Sequence, residues 1–400
     1  MSLVARTRRL DHDVDLLAVA GDDGVLLARD GVGLAGRGAA LEIDVDDVRT
    51  AQAQLATIEV DDEVGGPGTG VVAFGAWPFL PSAPRRLQVP EVIVGRDDRG
   101  SRWVTTVGDS EVDPTTALLD RSDAGPLPTR VTVETTQSAE DWCAAVIAGR
   151  DAVRAGELRK VVLARELVVT TDTPIDRRGV LRRLAAAFPG CTLAAVDGFV
   201  CASPETLVAR HGDVVASHPL AGTAPRGGDP TADAQLAAGL LASAKDRAEH
   251  QVTIDFVHET LLPWCSFLDE EATPSVVGVA NVQHLGTMVE GQLSDPAPSV
   301  LELVEALHPT PAVGGDPRDA ALALIASLEP GDRGRYAGPV GWVDGAGNGR
   351  WAVGIRSAEL NGTEARLWAG VGIVADSDPQ AELEETRAKA QAMLGALVRL

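Results

Sequence analysis

The chain has 400 residues, of which 45% are hydrophobic and 23% charged, a composition typical of a globular protein with a sizeable core. Its formal net charge of −23 argues against a nucleic acid or an anionic membrane as partner, because either would favour a basic face. There is no apolar run long enough for a signal peptide or a membrane span, and the four cysteines lack CxxC spacing. We therefore expect a cytoplasmic protein.

In chain order, residues 1–112 are rich in Gly, Asp and short apolar runs, which predicts strands joined by turns. The proline-containing stretch 113–130 is the best linker candidate. Ser138 and Asp141 predict the start of a helix that ends near Gly156. A strand over 160–169 and a helix over 175–188 follow, and then four short strands within 192–217.

The rest of the chain is predicted as helix from Pro230 to about Cys265, broken near Ser243, and then as strands over 340–345, 350–360 and 364–374. A final helix begins at Asp378, with Pro379 at its first position. Strand runs mixed with separate helices predict an α+β fold with large antiparallel sheets. Two glycine-rich motifs are interpreted as turns: residues 31–36 are followed by the strand-like LEIDV and not by a helix, and residues 65–70 lack the lysine and Ser/Thr of a phosphate loop.

The chain has only three lysines, Lys160, Lys245 and Lys389, although lysine and arginine together number 35. A lysine amine can lose its proton when buried, whereas an arginine stays charged. Codon bias would explain the same scarcity. All three lysines lie in segments that resemble parts of a binding site, however, so we treat them as candidates for function.

Two pairs of acidic residues are each spaced three apart in a predicted helix: Asp246 with Glu249, and Glu382 with Glu385. This spacing places both members of a pair on one side of the helix. If the two helices face each other, the four carboxylates need a cation between them, and Mg²⁺ suits such hard oxygen ligands. Taken singly, either pair would also fit a solvated helix face.

Further candidates are scattered along the chain. Arg356 interrupts an apolar strand pattern and needs an anionic partner, and Lys160 opens an apolar strand, where burial lowers an amine pKa. Glu205 lies at a turn among small residues, where a carboxylic acid can stay protonated. His284 lies between two apolar runs, where a lone histidine is more often a satisfied core residue than a catalyst. Backbone N–H groups in 219–224 and 370–372 suit carboxylate binding, although plain turns would look the same.

Nine phrases of the sequence together resemble the chorismate-utilising enzymes, and most closely the isochorismate synthases of menaquinone and catecholate-siderophore pathways. The phrases are KVVLAR, ASPETL, SHPLAGTA, SAKDRAEH, NVQHLGT, LHPTPAVGG, DRGRYAGPVGW, IRSA and AGVGIVADSDPQAELEETRAK. They cover roughly residues 131–400, in the order and spacing of the family. Residues 1–130 resemble the variable N-terminal portion of the same fold only through GAWPF at 75–79.

The resemblance implies a single large α+β domain, with two big antiparallel sheets flanked by helices and the site between them. It implies that Mg²⁺ is held mainly by Glu249 and Glu385, with Asp246 and Glu382 supporting it through water, and that the metal binds the ring carboxylate of chorismate. Arg356 and Tyr336 would hold the enolpyruvyl carboxylate. The remaining implied substrate contacts are Lys389 beside the metal, His284 along the ring, and the backbone of Gly222, Thr223, Gly370 and Gly372.

Within the family, a lysine at the position of Lys160 resembles the enzymes that add water at C2, whereas the ammonia-adding enzymes usually have glutamine there. Water must lose a proton to attack, so we assign Lys160 as the base and Glu205 as the acid that protonates the departing C4 hydroxyl. A salicylate synthase, which goes on to eliminate pyruvate, stays a competing interpretation. A catalytically silent chorismate-binding relative is another, and a monomer is expected from the resemblance.

Overall fold

The computed structural model describes residues 3–109, 128–279 and 282–398. Most of the predicted linker, residues 113–127, lies outside them. The described residues contain 25 strands, numbered β1 to β25 in chain order: Val4–Arg9, Val25–Arg29, Val32–Arg37, Leu41–Asp44, Glu59–Asp62, Val72–Ala76, Arg86–Val89, Val92–Arg96, Arg102–Gly108, Val131–Thr135, Lys160–Thr171, Thr192–Val196, Phe199–Ser203, Thr206–His211, Val214–His218, Leu220–Pro225, Cys265–Glu270, Ser275–Val279, Val282–Gly286, Val289–Leu293, Gly315–Asp316, Pro339–Asp344, Gly349–Val353, Ser357–Asn361 and Glu364–Ile373.

Nine α-helices, α1 to α9, occur in the same described ranges: Leu16–Ala20, Val48–Ala56, Ala139–Arg154, Arg177–Ala187, Pro230–Ala242, Ala244–Leu261, Val300–Leu307, Arg318–Leu328 and Pro379–Leu397. A single 3₁₀ turn, Leu262–Trp264, follows α6. Within the described ranges, no helix is long and apolar enough to cross a membrane.

Two large sheets form the centre of the fold. The first has 13 strands, in the order β10-β11-β25-β24-β13-β12-β2-β3-β8-β9-β1-β5, with β21 paired to β11. The second has nine strands, in the order β17-β20-β15-β14-β23-β22-β6-β7-β4, and a small third sheet has the order β16-β19-β18. Most neighbours are antiparallel, as predicted, but β1 and β5 pair in parallel. The N-terminal portion contributes strands to both large sheets.

The space between the two large sheets is filled by apolar side chains from both, including Leu27, Phe74, Phe199 and Val340. On its other side, the 13-stranded sheet is covered partly by α1, α4 and α9, which bury residues such as Leu181 and Met393 against it. Helix α3 packs its buried Trp142 and Val146 into the largest apolar cluster. Burial of this kind stabilises by about 1.5–3 kcal/mol per large side chain.

Several of the predicted elements are confirmed by local hydrogen bonds. Ser138 caps α3 by accepting a hydrogen bond from the backbone N–H of Asp141. Ser243 ends α5 and at the same time caps α6, so the predicted break is present. Asp378 caps α9, and Pro379 is its first residue. The prediction of strands and turns for residues 1–112 was incomplete, because α1 and α2 also form there behind aspartate caps. The interpretation of residues 31–36 as a turn was wrong, because Val32–Arg37 form strand β3, paired with β2 and β8.

The predicted continuous strand over 350–360 is wrong. The chain leaves the nine-stranded sheet after β23 and enters the 13-stranded sheet at β24, and Arg356 lies between them with φ 51°. The segment between β13 and β14, which contains Glu205, makes the opposite passage from the 13-stranded to the nine-stranded sheet. Alternating apolar residues look the same in one strand or in two, so the sequence pattern did not reveal the crossing.

Candidate active site

One cavity brings together all the residues that the sequence singled out. It encloses about 1240 Å³ including its open mouth, and it lies between the 13-stranded sheet, the small three-stranded sheet and helices α6 and α9. The 14 predicted site residues all line it: Lys160, Glu205, Gly222, Thr223, Asp246, Glu249, His284, Tyr336, Arg356, Gly370, Gly372, Glu382, Glu385 and Lys389. Lys245, the third lysine, lines it as well.

One wall of the cavity is formed by paired strands β11 and β25. Val162 of β11 lies opposite Gly372, and Ala164 lies opposite Gly370. Because side chains alternate along a strand, Lys160 shares the face of Val162 and points to the same side. The glycines leave room for it: a Cβ on Gly372 would lie 2.7 Å from Cε of Lys160.

Lys160 is buried, with 3% of its surface exposed, and it forms an ion pair across the cavity. Its Nζ lies 2.8 Å from Oε1 of Glu249 on α6. Burial alone would favour the neutral acid, but the positive charges of Lys160, Lys389 and Lys245 lower the pKa of Glu249. The pair joins strand β11 to helix α6 at the cavity wall.

The opposite wall is built where two chain segments cross between the large sheets side by side. The backbone N–H of Ala202 donates to the carbonyl of Arg356 at 3.1 Å, and that of Val353 donates to the carbonyl of Glu205 at 3.1 Å. These two bonds tie the crossings together. They bring Glu205 and Arg356 to the cavity from segments that are about 150 residues apart in the sequence.

Glu205 is 3% exposed, and burial raises its pKa to about 8, against the opposing effects of the Leu220 backbone N–H, Lys160 and Arg356. A carboxyl group with this pKa is mostly protonated at neutral pH. It can therefore donate a proton, which an ordinary glutamate cannot do under the same conditions.

Arg356 is held in place by His284. Its Nη2 lies 2.9 Å from Nε2 of His284, while Nδ1 of the same ring lies 3.1 Å from the carbonyl oxygen of Gly222. Burial, followed by the charges of Arg356 and Lys389, lowers the pKa of His284 to about 3, so the ring is neutral. Arg356 then donates to Nε2, and Nδ1–H donates to Gly222. His284 thus links the guanidinium to the bulge at Gly222, whose φ of 70° suits glycine.

Helix α9 carries the second acidic pair and a lysine. Nζ of Lys389 lies 2.8 Å from Oε1 of Glu385 and donates to the carbonyl of Gly370 at 3.0 Å. Glu382 is 9% exposed, and burial, aided by the negative charge of Glu385, raises its pKa to about 6, against a hydrogen bond from Ser377. A carboxyl group whose ionisation is disfavoured by a neighbouring carboxylate would gain from a cation between the two.

The four carboxylates fit a magnesium ion better than a transition metal. Within residues 3–109, 128–279 and 282–398, no three His, Cys, Asp or Glu side chains converge into a ready-made cage. Mg²⁺ commonly takes only one or two carboxylates and completes its shell with water and substrate oxygens. Glu249 and Glu385 stand on two helices that line the same cavity, which suits that mode of binding.

The sequence reasoning missed the apolar part of the cavity. Trp368 lines it, is 6% exposed, and stacks on Tyr336 with ring centroids 6.1 Å apart. Trp368 lies two and four residues before Gly370 and Gly372 on β25, so strand alternation alone would have placed it on the same face. Other apolar residues of the wall are Val162, Val313, Ile355 and Met393.

The fold and the cavity are those of a chorismate-binding enzyme. The family model described as "Chorismate binding enzyme" matches residues 30–398, and the chain belongs to that family.

Named relatives cover nearly the whole chain. A Mycobacterium tuberculosis protein named "Putative isochorismate synthase MenF" is 40% identical, and the match covers 96% of this chain and 97% of that protein. The vibriobactin-specific isochorismate synthase of Vibrio cholerae is 38% identical over 84% of this chain and 80% of its own. The solved structure of MenF, the menaquinone-specific isochorismate synthase of Escherichia coli, has a TM-score of 0.83 at 24% identity, covering 99% of this chain and 95% of that one.

Proposed function

We propose that this protein is an isochorismate synthase, which converts chorismate reversibly to isochorismate by adding water at C2 with loss of the C4 hydroxyl. The observation that carries the proposal is the presence of Lys160 and the protonated Glu205 in one cavity, beside a set of cations able to hold a dianion. The names of the full-length relatives support the same reaction.

Two cationic groups at separate places in the cavity would bind the two carboxylates of the substrate. Arg356, oriented by His284, would hold the enolpyruvyl carboxylate together with the Tyr336 hydroxyl. Lys389 would stand beside the ring carboxylate at the opposite side, near Glu385. Each carboxylate of the doubly negative substrate thereby meets a positive group, although the protein as a whole has a net charge of −23.

Magnesium belongs to this proposal, with Glu249 and Glu385 as its holders and Asp246 and Glu382 supporting them. When bound, the ion supplies positive charge for the ring carboxylate. Its presence would also give Glu249 a partner other than Lys160, which is a condition for the lysine amine to act as a base.

The chemistry then needs one proton removed and one delivered. Lys160 takes a proton from the attacking water as the C2–O bond forms. Glu205 donates its proton to the C4 hydroxyl as the C4–O bond breaks, so a water molecule leaves and both ring double bonds shift by one position. Each group would contribute on the order of 10²–10⁴-fold to the rate.

Product identification tests the proposal. Purified protein incubated with chorismate and Mg²⁺ should form isochorismate, separated by chromatography, and EDTA should stop its formation until Mg²⁺ is restored in excess. Release of pyruvate in step with salicylate would assign a salicylate synthase instead. A product that requires ammonia would contradict the role of Lys160.

We also propose that the enzyme is cytoplasmic and monomeric. All four cysteines are free thiols in the structure, which suits a reducing compartment. Size-exclusion chromatography with light scattering should give a mass close to the 41.6 kDa of one chain.

A further inference from the structure

The third lysine of the chain lines the cavity without a role in the chemistry above. Lys160 and Lys389 are each paired with a carboxylate at 2.8 Å. Lys245 differs, because its side chain is exposed at the rim and takes part in no hydrogen bond or ion pair with the described residues. Lys245 and Lys389 are both among the cations whose charge favours the ionised form of Glu249 and of Glu382.

The position of Lys245 is locally unfavourable for a cation. It is the second residue of α6, directly after the Ser243 cap and Ala244. Backbone N–H groups at a helix N-terminus carry partial positive charge, so acidic residues are favoured there and basic ones are disfavoured. Helix formation thus does not favour a lysine at this position, so we look for the role of Lys245 in the cavity that it lines.

The surroundings of Lys245 are dominated by negative charge. Asp246 is its neighbour in sequence, Glu249 follows one helical turn later, and Glu382 and Glu385 face the same cavity from α9. A dianion that approaches this mouth must pass these carboxylates, whereas a divalent cation is drawn to them. An exposed ammonium at the rim attracts the dianion and repels the divalent cation.

We propose that Lys245 is a rim cation that balances the two ligands of the site: it recruits the dianionic chorismate and moderates the affinity for Mg²⁺. The proposal rests on the proposed function for its choice of ligands. A dianion about 8 Å from one ammonium, in a water-like dielectric, gains enough energy to raise its local concentration about fivefold. By the same calculation, the ammonium weakens the binding of a divalent cation about fivefold.

The test is Lys245→Gln, compared with Arg247→Gln as a matched control. Arg247 is exposed on the same helix but does not line the cavity, so both variants lose one positive charge from α6. At low ionic strength and saturating Mg²⁺, Lys245→Gln should lower kcat/KM for chorismate about fivefold through KM, with kcat changed less than twofold. Since the Debye length falls to about 3 Å at 1 M salt, the difference should shrink there to less than about twofold.

Magnesium binding supplies a second readout that does not depend on turnover. Isothermal titration of Mg²⁺ alone should give a Kd about fivefold tighter for Lys245→Gln than for the parent, and Lys245→Arg should restore both parameters. If Lys245 had only a structural role, Lys245→Gln would weaken the binding of both chorismate and Mg²⁺.

Three results would overturn the inference: a Mg²⁺ affinity that weakens or stays unchanged, equal effects in Arg247→Gln, or a salt-independent loss of kcat/KM. The proposed function fails separately, because an unmodified protein that forms no isochorismate would refute it whatever the titrations show.

Discussion

Replacing Glu205 by glutamine separates the chemical role of this side chain from its effect on stability. Glutamine keeps the shape and can accept the hydrogen bond from the Leu220 backbone N–H, but it cannot release a proton. If Glu205 protonates the leaving hydroxyl, kcat should fall on the order of 10²–10⁴-fold. In the parent enzyme, kcat should decline as the pH rises through about 8, where the buried acid loses its proton.

The same substitution should stabilise the fold at neutral pH. Burial raises the pKa of Glu205 from 4.5 to about 8, so the folded protein holds a proton that the unfolded chain has released at pH 7. The contribution of a group with a raised pKa is fully present below the unfolded pKa and is lost as the pH rises through the folded one. At pH 7 the loss amounts to about 3 kcal/mol, at 1.36 kcal/mol per pKa unit.

Glutamine carries no such pH dependence. For a chain of 400 residues, an unfolding entropy of about 2 cal/mol/K per residue converts 3 kcal/mol into a Tm increase of about 4 °C at pH 7. At pH 4.5 Glu205 is protonated in the folded protein and still about half protonated in the unfolded chain, so the loss is only about 0.4 kcal/mol and the difference in Tm should shrink to about 1 °C or less.

The assay pairs chromatographic measurement of isochorismate formation with thermal unfolding at pH 4.5, 7 and 8.5. Glu364→Gln is the control, because Glu364 is an exposed carboxyl on β25, away from the cavity. A Glu205→Gln enzyme with kcat within about threefold of the parent would remove Glu205 from the chemistry. A Tm difference that does not grow with pH would show that the acid is not held neutral by burial.

Three further substitutions test other parts of the site. Lys160→Met should reduce isochorismate formation on the order of 10²–10⁴-fold, because the base is lost, and turnover at the parent rate would contradict that role. Gly372→Ala places a methyl group 2.7 Å from Cε of Lys160 and 2.9 Å from Oε1 of Glu249, and should lower kcat on the order of 100-fold by displacing the pair. Gly239→Ala, whose added Cβ would meet open space, should leave kcat unchanged. Arg356→Lys should raise KM about tenfold or more while the fold is kept, since a single ammonium replaces a planar guanidinium; an unchanged KM would argue against substrate binding by Arg356.

Much of the candidate site could be predicted from the sequence because its signals are short-range. The caps Ser138 and Asp378 act within three residues of the helix they begin, and the i,i+3 spacing of the acidic pairs requires only a helix. Alternation along β11 and β25 likewise fixes which side chains share a face. Such patterns are written in neighbouring residues and need no knowledge of the fold.

The sequence by itself therefore determined many of the local elements, the family resemblance and the candidate site residues. Only the tertiary structure decided that Arg356 lies at a crossing between two sheets, that Lys160 is paired with Glu249, and that Lys245 stands exposed at the rim of the cavity. These features depend on contacts between segments far apart in the chain. Their geometry follows from how strands register and where sheets meet, and the free energy of that packing is shared by the whole core and is not encoded in any one motif.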